Sequence, residues 1–397
     1  MKKALVLLTL VVLGLSLVTT VGLANDNTKL KGSIAIVLDV GGRGDLSFND
    51  MGFKGTDQAA KDFGLKMVTI QSSTAADYLP NIRNAARSGE YDLILCVGFL
   101  LGDALNTVAQ EYPNQKFAII DSVVNQPNVM SIVFRENESS ALVGALGAMV
   151  AAYYGYPYVG VVLGMEIPVL YHFEAGYRFG IDWGNKRYAE VTGKNPNVGL
   201  LWTYTGTFSD IAKGKSSTQA MLAQGAGLVY NVAGPLGLGD LQAITEYLQS
   251  KGKQAGPPFM LGVDADQDWM GNGNKVLASA MKRVDVGCYD AVKSVVDGTF
   301  KGGIVSMGLS NLGVAISRYT DLLDFINFGI QGKSIKPSDK DTIIKNWLAM
   351  RSSIPYWIWD AVSELEIKIM SGSIVVPTAN TLDQMKAIRA KYPLQRK

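Results

Sequence analysis

The sequence predicts an α/β protein built as two doubly wound Rossmann-like lobes joined by a hinge. Three observations predict it. Short apolar, strand-like runs alternate with helical patterns at short spacing, which implies parallel sheets covered by helices. The same order of elements occurs twice along the chain. The length, 397 residues, exceeds what one ordinary core accommodates and suits two.

In the first half, strand-like runs fall at Ile34–Leu38, Met67–Ile70, Leu93–Val97, Phe117–Ile120 and Val129–Phe134. Helical patterns at Phe53–Phe63, Tyr78–Arg87 and Ala104–Tyr112 separate them, and Gly64 marks a helix stop. A long helix, Asn137–Tyr154, stands near the passage to the second half. There, strand-like runs recur at Tyr158–Leu163, Val198–Tyr204, Leu228–Val232, Phe259–Val263 and Lys275–Met281. Helices Pro168–Thr192, Ile211–Gln224 and Leu238–Lys251 lie between them. A helix at Val286–Asp297, strand-like Ile304–Leu309 and Val314–Ile316, and a last helix at Trp357–Met370 follow. A tail that returns after two lobes predicts several interlobe crossings, a geometry suited to hinge closure around a ligand. The expected division is 32–136 plus about 285–318 for the N-terminal lobe. The C-terminal lobe takes 137–284 plus about 319–377, with a charged, weakly patterned extra segment at 331–355 and a tail at 378–397.

Residues 1–24 read as a secretory signal. Lys2 and Lys3 form a basic start, Ala4 to Val18 an apolar run, and Gly22-Leu-Ala24 a small-x-small cleavage site. The alternative is an uncleaved N-terminal membrane anchor; cleavage is the expectation, because the apolar run is short for a stable membrane span. The expected location is therefore outside the cytoplasmic membrane, periplasmic or associated with the cell surface. A formal net charge of +2 gives no electrostatic footprint for nucleic acid. Cys96 and Cys288 both sit in apolar patterns and read as small buried hydrophobes.

Catalytic and metal chemistry find few parts. His172 is the single histidine, so zinc sites and His-dependent triads are incomplete. No Walker A motif and no Gly-x-Ser-x-Gly turn is present. Gly42-Arg-Gly44-Asp-Leu-Ser47 has Ser where a dinucleotide fingerprint requires its third Gly. No catalytic residue, metal or cofactor is expected.

What remains is a set of loops past the predicted strand ends, where open α/β sheets bind ligands. The first, Asp39-Val-Gly-Gly-Arg-Gly-Asp-Leu-Ser-Phe-Asn-Asp50, is rich in glycine and polar side chains. Others carry Gly98-Phe99, Asp121-Ser122, Gly164-Met165, Tyr204 to Asp210, Gly234-Pro235 and Gly262-Val-Asp-Ala-Asp-Gln267, and Lys282 closes the set. Each residue also has a structural reading, as a turn, a cap or core. Their recurrence at strand ends in both halves points to a site.

Several of these stretches carry a resemblance. They are Asp45-Leu-Ser-Phe-Asn49 with Gly55, Phe117-Ala-Ile-Ile-Asp121, and Phe134-Arg-Glu-Asn-Glu138 with Gly144. Gly176-Tyr-Arg-Phe-Gly180, Gly206-Thr-Phe-Ser-Asp210, Gly262 to Gln267, Ser279-Ala-Met-Lys282 and Ser371-Gly-Ser-Ile-Val-Val-Pro377 continue it in order. Together the chain resembles the basic membrane protein family of ABC-transporter substrate-binding proteins. That family is the nucleoside-binding branch of the type I periplasmic-binding-protein fold. Two features depart from it: no cysteine follows the leader to accept a lipid, and 331–355 is extra.

The resemblance implies a non-enzymatic, monomeric protein that binds a purine nucleoside between its lobes and delivers it to a membrane permease. The implied ligand-binding residues are Asp45, Phe48, Asn49, Asp121, Tyr204, Phe208, Asp264 and Lys282. Asp264 and Lys282 suit the ribose hydroxyls; Phe48 with Phe208 or Tyr204 suits the purine face. Asn49 with Asp45 or Asp121 suits the base edge. Alternatives are a binding protein or sensor for another small polar ligand, such as a sugar, a purine base or riboflavin. A nucleoside hydrolase is disfavoured because Asp264 and Asp266 alone make a poor metal cluster.

Overall fold

The computed structural model describes residues 30–395 and has two six-stranded sheets. The predicted leader lies outside the described residues. The first lobe runs β1 (Ser33–Leu38), α1 (Phe48–Phe63), β2 (Lys66–Gln71), α2 (Tyr78–Ser88), β3 (Leu93–Val97), α3 (Gly102–Glu111), β4 (Phe117–Ile120) and β5 (Val129–Phe134). The second runs α4 (Glu136–Tyr154), β6 (Tyr158–Leu163), α5 (Pro168–Thr192), β7 (Gly199–Tyr204), α6 (Ile211–Ala223), β8 (Ala226–Val232), α7 (Gly237–Ser250), β9 (Phe259–Asp264) and β10 (Val276–Lys282). The chain then returns through α8 (Val284–Val296), β11 (Gly303–Met307) and β12 (Val314–Ile316). It ends with α9 (Tyr319–Gln331), α10 (Lys340–Ser352), α11 (Tyr356–Met370) and α12 (Leu382–Lys391).

Strand order is β11-β5-β4-β3-β1-β2 in the first sheet and β12-β10-β9-β8-β6-β7 in the second. The two orders correspond strand for strand. All pairings are parallel except β12 with β10. The central strands are buried on both faces, as covered parallel sheets require: β3 and β4 are buried throughout.

The chain passes between sheets three times, at Phe134–Glu136, Lys282–Val284 and Met307–Val314. These crossings are tied together. Arg135 N donates to Met307 O at 2.7 Å, and Leu309 N donates to Glu138 Oε2 at 2.7 Å. Arg283 N donates to Gly313 O at 2.8 Å. The expected first-lobe segment 285–318 therefore divides. Its strand 303–307 joins the first sheet, but 314–316 pairs with β10 in the second. Antiparallel pairing needs only the short turn 308–313, so the return comes earlier than the apolar pattern suggested.

The segment 331–355 is not irregular. It contains α10, whose Ile343, Trp347 and Met350 are buried at helical spacing. The tail likewise forms α12, with Met385 buried against Tyr171 and Ala175 of α5.

α4 and α5 pack closely because glycines recur every fourth residue on α5. A Cβ at Gly176 or Gly180 would collide with the carbonyl of Asn137 or Ala141, and one at Gly184 would lie 2.7 Å from Ala145 O. The matching spacing of four on both helices puts backbone against backbone along one ridge. Among the described residues, no helix is long and apolar enough to cross a membrane.

Candidate functional site

The carboxyl ends of β1, β3, β4, β8, β9 and β10 face one cleft between the lobes. Seven of the eight predicted residues line it: Asp45, Phe48, Asn49, Asp121, Phe208, Asp264 and Lys282. The eighth, Tyr204, does not. The space free of protein atoms is about 600 Å³, part of it open to solvent.

The β1–α1 loop is organised by its own carboxylates. Asp45 accepts from the backbone N–H groups of Ser47, Asn49 and Asp50 at 2.8–3.1 Å and from Asn49 Nδ2 at 3.2 Å. These bonds satisfy donors at the helix start, so α1 begins at Phe48 rather than at the expected Phe53. Phe48 and Asn49 thereby reach the cleft from the first helical turn. Asp45 itself is spent on this task. Its lone pairs are occupied, which removes it as the acceptor for a base edge that the sequence allowed. Burial, and then the charge of Asp50, push its carboxyl up to about 7 against those N–H donors.

Asn49 is held by two carboxylates. Its Nδ2 donates to Asp39 Oδ1 at 3.0 Å as well as to Asp45, which leaves Oδ1 buried without a partner. Asp39 also lines the cleft and was missed. It stood within the polar loop, but nothing in its spacing separated it from a turn residue. Burial raises its carboxyl as well.

Lys282, at the end of β10, is the cation of the cleft. Its ammonium is 2.6 Å from Asp121 Oδ2 and 3.8 Å from Asp264 Oδ1. The rings of Phe48, Phe173 and Phe134 surround it at 4.7, 5.3 and 5.8 Å. Burial alone would lower its pKa, but Asp121, Asp264 and Glu136 outweigh burial and hold it above the ordinary lysine value. One ammonium cannot neutralise every carboxyl near it. Burial therefore pushes Asp121 up to about 7, and raises Asp264, although Lys282 opposes both shifts.

Contacts from both lobes meet here. Lys282 of the second lobe bonds Asp121 of the first. Ser47 Oγ of the first lobe donates to Val263 O and Asp264 Oδ2, each at 3.1 Å. Gln267 Nε2 donates to Leu46 O at 3.0 Å. The lobes are thus closed on each other.

The second lobe adds an apolar wall. Phe208 packs where Gly164 has no Cβ; any side chain there would overlap its ring. Ile167, Val169, Leu170 and Phe173, from the start of α5 and the residue before it, line the same wall and were missed. Their helical spacing read as core.

Tyr204 points elsewhere. Its hydroxyl donates to Glu174 Oε2 at 2.9 Å, and Arg389 of α12 bonds the same carboxylate at 2.7 Å. His172 also lies off the cleft wall, between Glu136 Oε1 at 3.0 Å and Asn380 Oδ1 at 2.8 Å. Arg43 of the β1–α1 loop is bound to Asp50 at 2.6 Å. Cys96 and Cys288 are free and buried. Among the described residues, no group of His, Cys, Asp or Glu could hold a metal ion.

A family model described as ABC transporter substrate-binding protein PnrA-like matches residues 33–346. The chain is 40% identical over 359 residues to an uncharacterized lipoprotein of Pyrococcus horikoshii, covering 89% of this chain and 86% of that protein. It is 35% identical over 294 residues to the Lactococcus lactis protein named ABC transporter nucleoside-binding protein BmpA, covering 70% and 80% respectively. Among solved structures, an ABC transporter solute-binding protein from Aeropyrum pernix K1 superposes with a TM-score of 0.82 at 36% identity. The match covers 91% of this chain and 97% of that one.

Proposed function

The chain belongs to the PnrA-like family of ABC-transporter substrate-binding proteins, and on that premise we propose that its cleft binds a purine nucleoside and delivers it to a membrane permease. The observation that carries the reading is the inventory of buried, unpartnered acceptors. Asn49 Oδ1, Asp121 Oδ1 and Asp264 Oδ1 are buried without a hydrogen-bond partner, on three residues that line the cleft. Buried acceptors without donors are costly, so the fitting ligand is rich in N–H and O–H groups.

A nucleoside supplies them from two ends. Its ribose offers vicinal hydroxyls, which suit Asp264 as acceptor and Lys282 as donor. A purine such as guanine offers ring and exocyclic N–H groups to Asn49 and Asp121. Its faces suit the rings of Phe48 and Phe208. Ligand groups that contact both lobes favour the closed arrangement by differential affinity, and closure is the form a permease can distinguish. In this reading the protein binds and does not catalyse, and it works outside the cytoplasmic membrane as a monomer.

The test is calorimetric titration of protein that has been unfolded, stripped and refolded, with inosine, guanosine, adenosine, uridine and ribose. Submicromolar binding of a purine nucleoside, with ribose far weaker, is the expected result. Ribose binding as tightly as any nucleoside would replace this reading with a sugar-binding one. A refolded protein that binds none of them would remove it.

A further inference from the structure

We propose that Arg351 and Trp347, on α10, are positioning residues for the cleft, acting through a buried hydrogen-bond relay that ends on the opposite lobe. The inference rests on reading the cleft as a ligand site, but its geometry is independent of ligand identity.

The relay starts at Asp268, which is fully buried. Its Oδ2 accepts from Trp347 Nε1 at 3.0 Å, Arg351 Nη2 at 2.9 Å and Ser317 Oγ at 2.8 Å. The guanidinium of Arg351 is fixed between the rings of Trp347 and Trp359, at 4.5 and 4.6 Å. Asp268 Oδ1 accepts from Ser279 Oγ at 2.7 Å. That bond consumes the hydroxyl proton, so Ser279 Oγ is left as an acceptor, and Gln267 N donates to it at 3.0 Å. Gly262 has no Cβ to block this bond; one there would overlap Ser279 Oγ.

Gln267 is the output. Its Oε1 accepts from Val263 N at 3.1 Å, beside Asp264. This fixes the amide orientation and aims Nε2 across the contact between the lobes at Leu46 O, 3.0 Å away. Leu46 adjoins Ser47, which bonds back to Val263 and Asp264. A helix distant in sequence therefore sets where Asp264 sits and how the second lobe meets the β1–α1 loop.

Amide hydrogen exchange resolved to single residues, measured without added ligand, decides the proposal. Trp347→Phe keeps an aromatic ring, a smaller one, and removes the indole N–H donor. It should speed exchange at Val263 and Gln267 by roughly fivefold, the loss of about one buried hydrogen bond. Leu93–Val97, in the other lobe, should be unchanged. In a Gln267→Ala background the same substitution should add nothing at Val263. Guanosine serves as the ligand probe: Trp347→Phe should weaken its binding roughly fivefold, and this effect should vanish in Gln267→Ala. If Trp347→Phe fails to fold, Arg351→Lys, which keeps the charge and loses the planar fork, carries the same expectations. Unchanged exchange at Val263, or fully additive effects of the two substitutions, overturns the relay. Absence of guanosine binding by the unaltered protein overturns the ligand reading alone, because the exchange outcomes still stand or fall without it.

Discussion

Asp121 and Asp264 occupy equivalent positions in the two lobes and face the same ammonium. Each lies at the carboxyl end of the strand fourth in chain order in its sheet, β4 or β9, and each has left-handed backbone, with φ of 69° and 61°. Aspartate tolerates that region better than most residues, because its short polar side chain bonds locally. The pair turns the pseudo-symmetry of the fold into a two-sided cleft: one carboxylate per lobe, with Lys282 between them at 2.6 and 3.8 Å.

Lys282 should matter to stability as much as to binding. Lys282→Met leaves Asp121 and Asp264 buried without their cation. Removing one partner of a buried ion pair costs about 3–5 kcal/mol. Urea unfolding should show a loss of that order, and adding Asp121→Asn should restore part of it. A loss under about 1 kcal/mol, in the range of an exposed ion pair, would mean that the ammonium does not hold the cluster together.

The aromatic residues should separate cleanly. Phe48→Ala and Phe208→Ala each remove a ring from the cleft wall, and base stacking on such rings contributes about 1–3 kcal/mol. Guanosine affinity should fall roughly 10- to 100-fold in either variant. Tyr204→Phe removes a hydroxyl that bonds Glu174, outside the cleft. It should leave affinity within about twofold and lower stability by about 1 kcal/mol. Calorimetry with thermal unfolding checks all three.

Asp240 gives a pH signature away from the site. It is fully buried, accepts only from Thr218 Oγ1 at 2.7 Å, and burial pushes it up to about 7 from 3.8. A raised folded-state pKa means that the native state holds the extra proton between those values. Its contribution to stability is therefore fully present below about pH 4 and is lost as pH rises through about 7. Asp240→Asn should flatten the fall in stability between about pH 4 and about pH 7, and should be at least as stable as the unaltered protein at pH 8. Parallel stability–pH curves for the two proteins would contradict this.

Gly180→Ala tests the α4–α5 contact. The new methyl group meets the Ala141 carbonyl, so the helices must separate. Overpacking of this kind costs about 1–3 kcal/mol, despite alanine's better helix propensity. A more stable variant by thermal unfolding would show that the close approach is not needed.

The sheets were legible because buried parallel strands read as continuous apolar runs: β3, Leu93–Val97, and β4, Phe117–Ile120, stand where the apolar pattern put them. The lobe exchange near 310 was not legible, since pairing direction leaves no mark on a three-residue strand. α10 was hidden by its charges, with Ile343, Trp347 and Met350 spread among lysines and polar residues. In the cleft, strand ends located the lining residues Asp121, Asp264 and Lys282. Asp39 and the α5 wall were missed, because a turn carboxylate and an apolar helical face look the same whether they bound a cleft or fill a core. Tyr204 was misplaced for a related reason. It ends a strand, but its partners, Glu174 and Arg389, lie 30 and 185 positions away in the chain, and only folding brings them together.

The central claim, that one ligand is held by a carboxylate from each lobe, is tested most directly by titrating guanosine into Asp121→Asn and Asp264→Asn beside the unaltered protein. Asparagine keeps the size and tolerates the left-handed backbone, so both variants should fold. Hydrogen bonds to a charged group contribute about 1.5–3 kcal/mol each, so each substitution should weaken binding by roughly a hundredfold. Full affinity in either variant, in a protein shown to be folded, would mean that the ligand engages only one lobe, and the two-sided account would fall.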